Sequence, residues 1–156
     1  MFLTIPDFRQ LIKDDQLAQI LPPGMAPLSV GERPDHPVGR LEDVPVLHEG
    51  VLTAIAEMSS YLNSRYDVAT LFAATATDRH PLIKLYCIDI TLYHLHSRIS
   101  PRAIPQLRMD RYDAAINWLK QVARGELLPD LPTLPNGQDN IAAFNSGRNA
   151  RTEARL

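Results

Sequence analysis

No glycine falls between Val51 and Arg124, although the chain holds 7. Glycine inside a helix costs about 1 kcal/mol relative to alanine, so a long span without it is free to be helical throughout. Proline sets the limits of that span. Six of the 13 prolines crowd between Pro22 and Pro45, and three more stand at Pro129, Pro132 and Pro135. Proline lacks the backbone donor a helix needs and clashes with the preceding turn. A helical body is therefore held between two segments that cannot continue it.

Inside the body the apolar residues recur at three- and four-residue spacing, the period of a buried helical stripe. Val51, Leu52, Ile55, Met58 and Leu62 predict a helix from about Pro45 or Leu47 to Arg65. Leu82, Leu85, Tyr86, Ile88, Leu92, Tyr93 and Leu95 predict the next, starting near Asp78 with Pro81 in its first turn. Its apolar arc is wide, which makes it the central helix. Met109, Tyr112, Ile116, Leu119, Val122 and Ala123 predict a last helix from about Pro105 to Arg124, stopped by Gly125 in the left-handed conformation. This helix carries the only tryptophan, Trp118. Upstream, Thr4 caps a short piece with Pro6 and Asp7 in its first turn and Phe8, Leu11 and Ile12 on one face. A second piece restarts at Asp14 or Asp15, runs through Leu17, Ile20 and Leu21, and ends at Pro22-Pro23-Gly24.

No alternating strand of useful length and no internal repeat is present. The expected fold is all-α: a compact bundle of about four helices with a Pro-rich loop over 22–46 and an extended C-terminal tail. The body is expected over 1–127 and the tail over 128–156. Beyond the turn signal Asn136-Gly137, the tail offers only Ile141, Ala142, Ala143 and Phe144 as apolar anchors, followed by Arg148, Arg151 and Arg155. Such a segment buries too little to fold alone, so it is either disordered or ordered by a partner.

Charge narrows the functional classes. The formal net charge is −2, without the basic excess typical of general nucleic-acid binders. Residues 1–50 carry 4 Lys/Arg against 8 Asp/Glu, and residues 51–124 carry 9 against 6. An acidic front and a basic middle attract each other, within one chain or between neighbours. The single cysteine, Cys87, cannot close an internal disulfide, which suits a reducing compartment. No run of about 18 apolar residues offers a membrane span, and the first residues lack the pattern of a secretory signal.

Candidate chemistry is sparse, and no catalytic residue, metal site or cofactor is expected. His94 and His96 are two apart; on a helix they do not face one another, whereas a helical zinc pair uses i, i+4 spacing. Stoichiometric metal in the purified protein would support a small metal-dependent enzyme built on them. Cys87 sits among apolar residues and reads as a structural thiol. Asp89 is a carboxylate on an apolar helix, which calls for an arginine partner such as Arg65 or Arg111, or for a place at a subunit contact. Arg98, Arg102, Arg108 and Arg111 form a basic stretch between the last two helices. A small nucleic-acid-associated accessory protein using this stretch is the alternative reading, with steeply salt-dependent DNA binding as its sign.

Tyr61-Leu62-Asn63-Ser64-Arg65-Tyr66 resembles the L-x-x-R-Y end of the second helix in the small head–tail connector (adaptor) proteins of Mu-like prophages, a family long known only as a domain of unknown function. Pro81 to Ile90, with Tyr93 and Leu95, is similar to the third helix of that family, including its acidic residue. Tyr112, Ala114, Ala115, Trp118, Leu119, Val122, Ala123, Arg124 and Gly125 match the closing helix and its glycine stop. Residues 47–127 carry most of the likeness, and Thr4 and Asp7-Phe8 carry a fainter one. The stretch 22–46 and the tail past Pro129 depart from the pattern.

The resemblance implies a non-enzymatic structural protein of a tailed bacteriophage virion. Connectors of this kind form a homo-oligomeric ring, commonly of twelve subunits, under the portal protein. They carry the next neck or tail component, and the packaged DNA passes through without being read. The resemblance also implies an arm that grips the portal, here with Phe144, Arg148, Arg151 and Arg155, and channel or subunit contacts, here with Arg98, Arg102, Arg108 and Asp89.

Overall fold

The structure, a computed structural model, describes residues 1–21, 41–99 and 101–134. Among the described residues there are six α-helices: α1 (Ile5–Arg9), α2 (Asp14–Ile20), α3 (Pro45–Leu62), α4 (Val68–Ala73), α5 (Pro81–Ile99) and α6 (Gln106–Arg124). Two 3-10 turns, Leu41–Asp43 and Ala76–Asp78, precede α3 and α5. The fold is all-α.

Three long helices form the core. α3 packs on α5, α5 on α6, and α3 on α6. α5 is the central element and buries Ile83, Cys87, Ile88, Ile90, Thr91, Leu92 and Leu95 over a wide arc. α3 presents Leu47, Val51, Ala54, Met58 and Leu62. Leu52, expected in that stripe, is half exposed at 50%, because it stands about 100° around the helix from Val51. α6 is more amphipathic and buries Ala115, Ile116, Leu119 and Val122. Trp118 is only partly buried and packs its ring against Tyr86, centroids 5.2 Å apart.

The ends of the helices follow from capping chemistry. α6 stops in a Schellman arrangement: Gly125 N–H donates to the Val122 carbonyl at 2.9 Å and Glu126 N–H to the Gln121 carbonyl at 2.9 Å. Gly125 has φ +77°, and a Cβ there would come within 2.8 Å of the Arg65 guanidinium. Arg65 Nε also donates to the Ala123 carbonyl at 3.3 Å. The arginine of the L-x-x-R-Y segment thus sits on the negative end of α6, where a cation is favoured. It is not the partner of Asp89.

Three boundaries differ from the sequence reading. α3 ends at Leu62 rather than Arg65, since Asn63 to Arg65 turn the chain into the short helix α4. Asp67 caps α4, accepting from Thr70 N–H at 3.1 Å and from the Thr70 hydroxyl at 2.7 Å. These bonds hold the Asp67 carboxyl below the usual range. Asp78 belongs to its own 3-10 turn and does not open α5. The body also extends past 127. Leu131 is buried in the core, Asp67 N–H donates to the Pro132 carbonyl at 2.8 Å, and Tyr66 and Thr133 form an isolated antiparallel bridge.

The N-terminal segment is fastened by charge as well as by apolar burial. Phe2, Leu3, Ile5 and Phe8 are fully buried. Asp7 is buried too, and its carboxylate accepts from Thr4 N–H at 2.8 Å and from the Thr4 hydroxyl at 2.7 Å. Arg79 donates to both Asp7 oxygens and to the Phe2 carbonyl, the last at 2.8 Å. Lys84 Nζ stands 3.5 Å away. Burial alone would raise the Asp7 carboxyl, but hydrogen bonds from Arg79 and Thr4 outweigh it and hold the group below the usual carboxylate range.

Candidate functional site

Two polar clusters join the core helices, and the more unusual one centres on Asp89. This residue lies mid-α5, among side chains that α5 buries in every direction, and is 4% exposed. α6 brings two arginines to it. Arg111 Nη1 donates to Oδ1 at 3.4 Å, and Arg108 Nη1 lies 3.9 Å from the same atom. The expected arginine partner is therefore Arg111, with Arg108 beside it. Both contacts are long for charge-assisted bonds. Burial raises the Asp89 carboxyl, and the two arginines only partly offset it. Arg108 is 8% exposed, and among the described residues its Nη1 finds no hydrogen-bond partner. Burial lowers its pKa accordingly. Two guanidinium groups around one carboxylate leave an uncompensated positive charge in the body.

A cavity of about 400 Å³ adjoins this cluster. Arg108 and Leu107 of α6, His96 and Ile99 of α5, and Gln16 and Gln19 of α2 are among its lining residues. His96 Nδ1 donates to the Leu92 carbonyl at 2.8 Å, so its ring is oriented by its own helix.

The second cluster has Glu57 of α3 at its centre. His94 Nε2 donates to one Glu57 oxygen at 2.7 Å, and the Tyr112 hydroxyl donates to the other at 2.7 Å. Tyr93 stacks on Tyr112 with centroids 4.0 Å apart. One carboxylate thereby ties α3, α5 and α6 together. Burial and the Glu57 hydrogen bond push the Tyr112 hydroxyl well above its ordinary pKa, so Tyr112 acts as a donor. His94 faces α3 while His96 lines the cavity, so the two rings point apart. Among the described residues no group of three or more His, Cys, Asp or Glu side chains is placed to hold a metal ion. Cys87 is fully buried, and burial pushes its thiol far up, which leaves it inert.

The structure separates the remaining expected residues. Arg98 and Arg102 are exposed, and Arg98 Nη1 meets Glu49 at 3.3 Å on the surface. Asp89 and Arg108, by contrast, are turned inward and paired within the chain. Phe144, Arg148, Arg151 and Arg155 lie outside the described residues, as does most of the loop 22–46. The Glu57 cluster was not anticipated. Its signal was present as an acid three residues from Ala54 and one from Met58, at the edge of the buried stripe of α3.

The model of the family described as Bacteriophage Mu, Gp36 matches residues 3–145. The chain belongs to this phage family. The match runs through all six helices and on to Asn145, so the N-terminal segment and much of the chain past Pro129 are part of the family pattern as well. No curated protein matches the chain. Among the described residues no helix is long and apolar enough to cross a membrane.

Proposed function

We propose that this member of the Mu Gp36 family is a structural head–tail connector. It joins the portal protein of the capsid vertex to the next neck or tail component and works by binding alone, without catalysis or a cofactor. In this reading copies of the chain form a ring, with twelve the number suggested by the resemblance, and DNA passes through without sequence-specific contact. The product is a neck of the virion, assembled in the host cytoplasm.

The observation that carries this reading is where the polar chemistry of the body is spent. Glu57, His94 and Tyr112 are used up in holding three helices together. Cys87 is inert. The α5–α6 turn presents Arg102 and Arg98 on the surface, the latter in an exposed contact with Glu49. That arrangement suits assembly through a surface better than turnover of a substrate. Leu134, the last described residue, lies beside Ala123 near the end of α6, and in this reading residues 135–156 supply the arm that grips the portal, with Phe144 as an apolar anchor and Arg148, Arg151 and Arg155 as cations.

The test is a truncation. Because Leu131 belongs to the core, the cut falls after Leu134. The shortened chain keeps its melting transition and loses portal binding in a pull-down. Normal docking of the shortened chain overturns the role of the arm.

A further inference from the structure

We propose that the groove at the end of α6 is the docking site of the chain's own segment 138–144, and that it stores the apolar anchor of the arm until the portal takes it. The storage role rests on the connector reading above; the docking does not.

The groove suits an apolar occupant with one negative charge. Ala123, Leu128, Thr133 and Leu134 line it together with Arg65 and Tyr66, and its volume is about 540 Å³. Three of the large apolar side chains that the described residues leave exposed, Leu127, Leu128 and Leu134, follow α6 within ten positions, and Leu128 is 76% exposed. Single exposed leucines are ordinary, whereas a cluster of them marks a contact surface. Arg65 supplies the charge. It is exposed, and its one hydrogen bond among the described residues runs from Nε to the Ala123 carbonyl.

The sequence that continues from the groove names the occupant. Leu134-Pro135-Asn136-Gly137 places proline, asparagine and glycine at the second, third and fourth positions of a β-turn, the chemistry of a tight reversal. The reversal starts on a groove residue, so it returns the chain towards the groove. Asp139 follows as the only charged residue between Leu134 and Arg148, and Ile141 and Phe144 bring the apolar side chains. An exposed ion pair is weak, so Asp139 on Arg65 fixes register while the leucines carry the contact. Phe144 stands ten positions after Leu134, a reach of up to about 33 Å. A tether this short gives an effective concentration of the order of millimolar, an advantage that neither a second copy nor the portal has before assembly. The family match ends at Asn145, so it takes in the turn, the acid and both apolar residues and leaves out Arg148, Arg151 and Arg155. Docked on the groove, Phe144 is withheld from any other partner.

The experiment is disulfide trapping in the full chain carrying S64C and N145C, with Cys87 buried and out of reach. Expected is a bond within one chain, formed about tenfold faster than when L128E or D139R is added. Leu128 is exposed, so L128E leaves the core intact. Equal rates in the three proteins overturn the docking, and a bond that joins two chains assigns the groove to a neighbour's segment and overturns it as well. Portal binding is then measured for the parent and for L128E without the added cysteines. Expected is about tenfold tighter binding by L128E, the factor for an arm that is undocked about a tenth of the time. Equal affinities overturn the storage role. A portal that binds neither protein removes the connector reading, and storage with it, while the trapping result still decides the docking.

Discussion

Asp7 and Asp89 are both buried carboxylates that face arginines, and they are built to opposite specifications. Asp7 receives Thr4 twice and Arg79 at both oxygens, with Lys84 close by. Its carboxyl is held below the usual range. Asp89 receives one long bond from Arg111 and a distant Arg108, and its carboxyl is raised. A buried charge is stable only when its hydrogen-bonding capacity is filled. Asp7 meets that condition inside the chain and is a finished structural latch. The Asp89–Arg108–Arg111 group does not meet it, and it stands next to a cavity and an uncapped helix. The difference separates a carboxylate whose hydrogen-bonding capacity is filled within the chain from one whose capacity is not.

The largest expected effect comes from breaking the finished latch. D7A leaves the largely covered Arg79 without its carboxylate, though still bonded to the Phe2 and Ala76 carbonyls, and costs about 3 kcal/mol of stability by denaturant melt. A loss under about 1 kcal/mol would show that the N-terminal segment is held by Phe2, Leu3 and Phe8 alone. Next is W118A, which uncovers the Tyr86 ring beside the Asp89 group. Trp118 is half-buried, so the loss is about 2–3 kcal/mol, below that of a fully buried aromatic. A parent-like melt would assign Trp118 to an interface.

The pH dependence of the two acids has opposite sign. Asp7 has a lowered folded pKa, so its stabilisation is present above the ordinary value of 3.8 and is lost as pH falls through the folded value. Asp89 has a raised folded pKa, so folding favours its protonated form and stability declines as pH rises from 3.8 through the folded value. Melts of D7N and D89N across the acid range should remove one slope each, in opposite directions. Parallel behaviour would erase the distinction. The smallest effect is expected from D89N combined with R108M, which removes the incomplete pair as a unit and stays within about 1 kcal/mol of the parent. A large loss there would mean that the pair is structural after all.

The three long helices were legible because their stripes are dense and their punctuation is strong: Pro45 opens α3, Pro81 opens α5, and Gly125 closes α6. α4 was missed because six residues carry too little periodicity, although Asp67 followed by Thr70 was a usable cap signal. Leu52 was misplaced because an apolar residue next to a stripe looks the same as one within it. The Asp7–Arg79 latch spans 72 positions, and no local pattern announces such a pairing. The same holds for Glu57 with Tyr112, 55 positions apart. Asp89 was different. A lone carboxylate on an apolar helix requires a partner on physical grounds, so the sequence pointed to an arginine and offered Arg65 and Arg111, of which the structure pairs Arg111. The incompleteness of that pairing was visible only in the distances.

The most direct test of the connector reading is negative-stain imaging of the full chain mixed with the portal protein encoded by the same phage. A ring of this protein capping the portal is the expected result, and its symmetry would give the subunit number. Bare portals beside free protein, at concentrations where both are folded, would contradict the connector role.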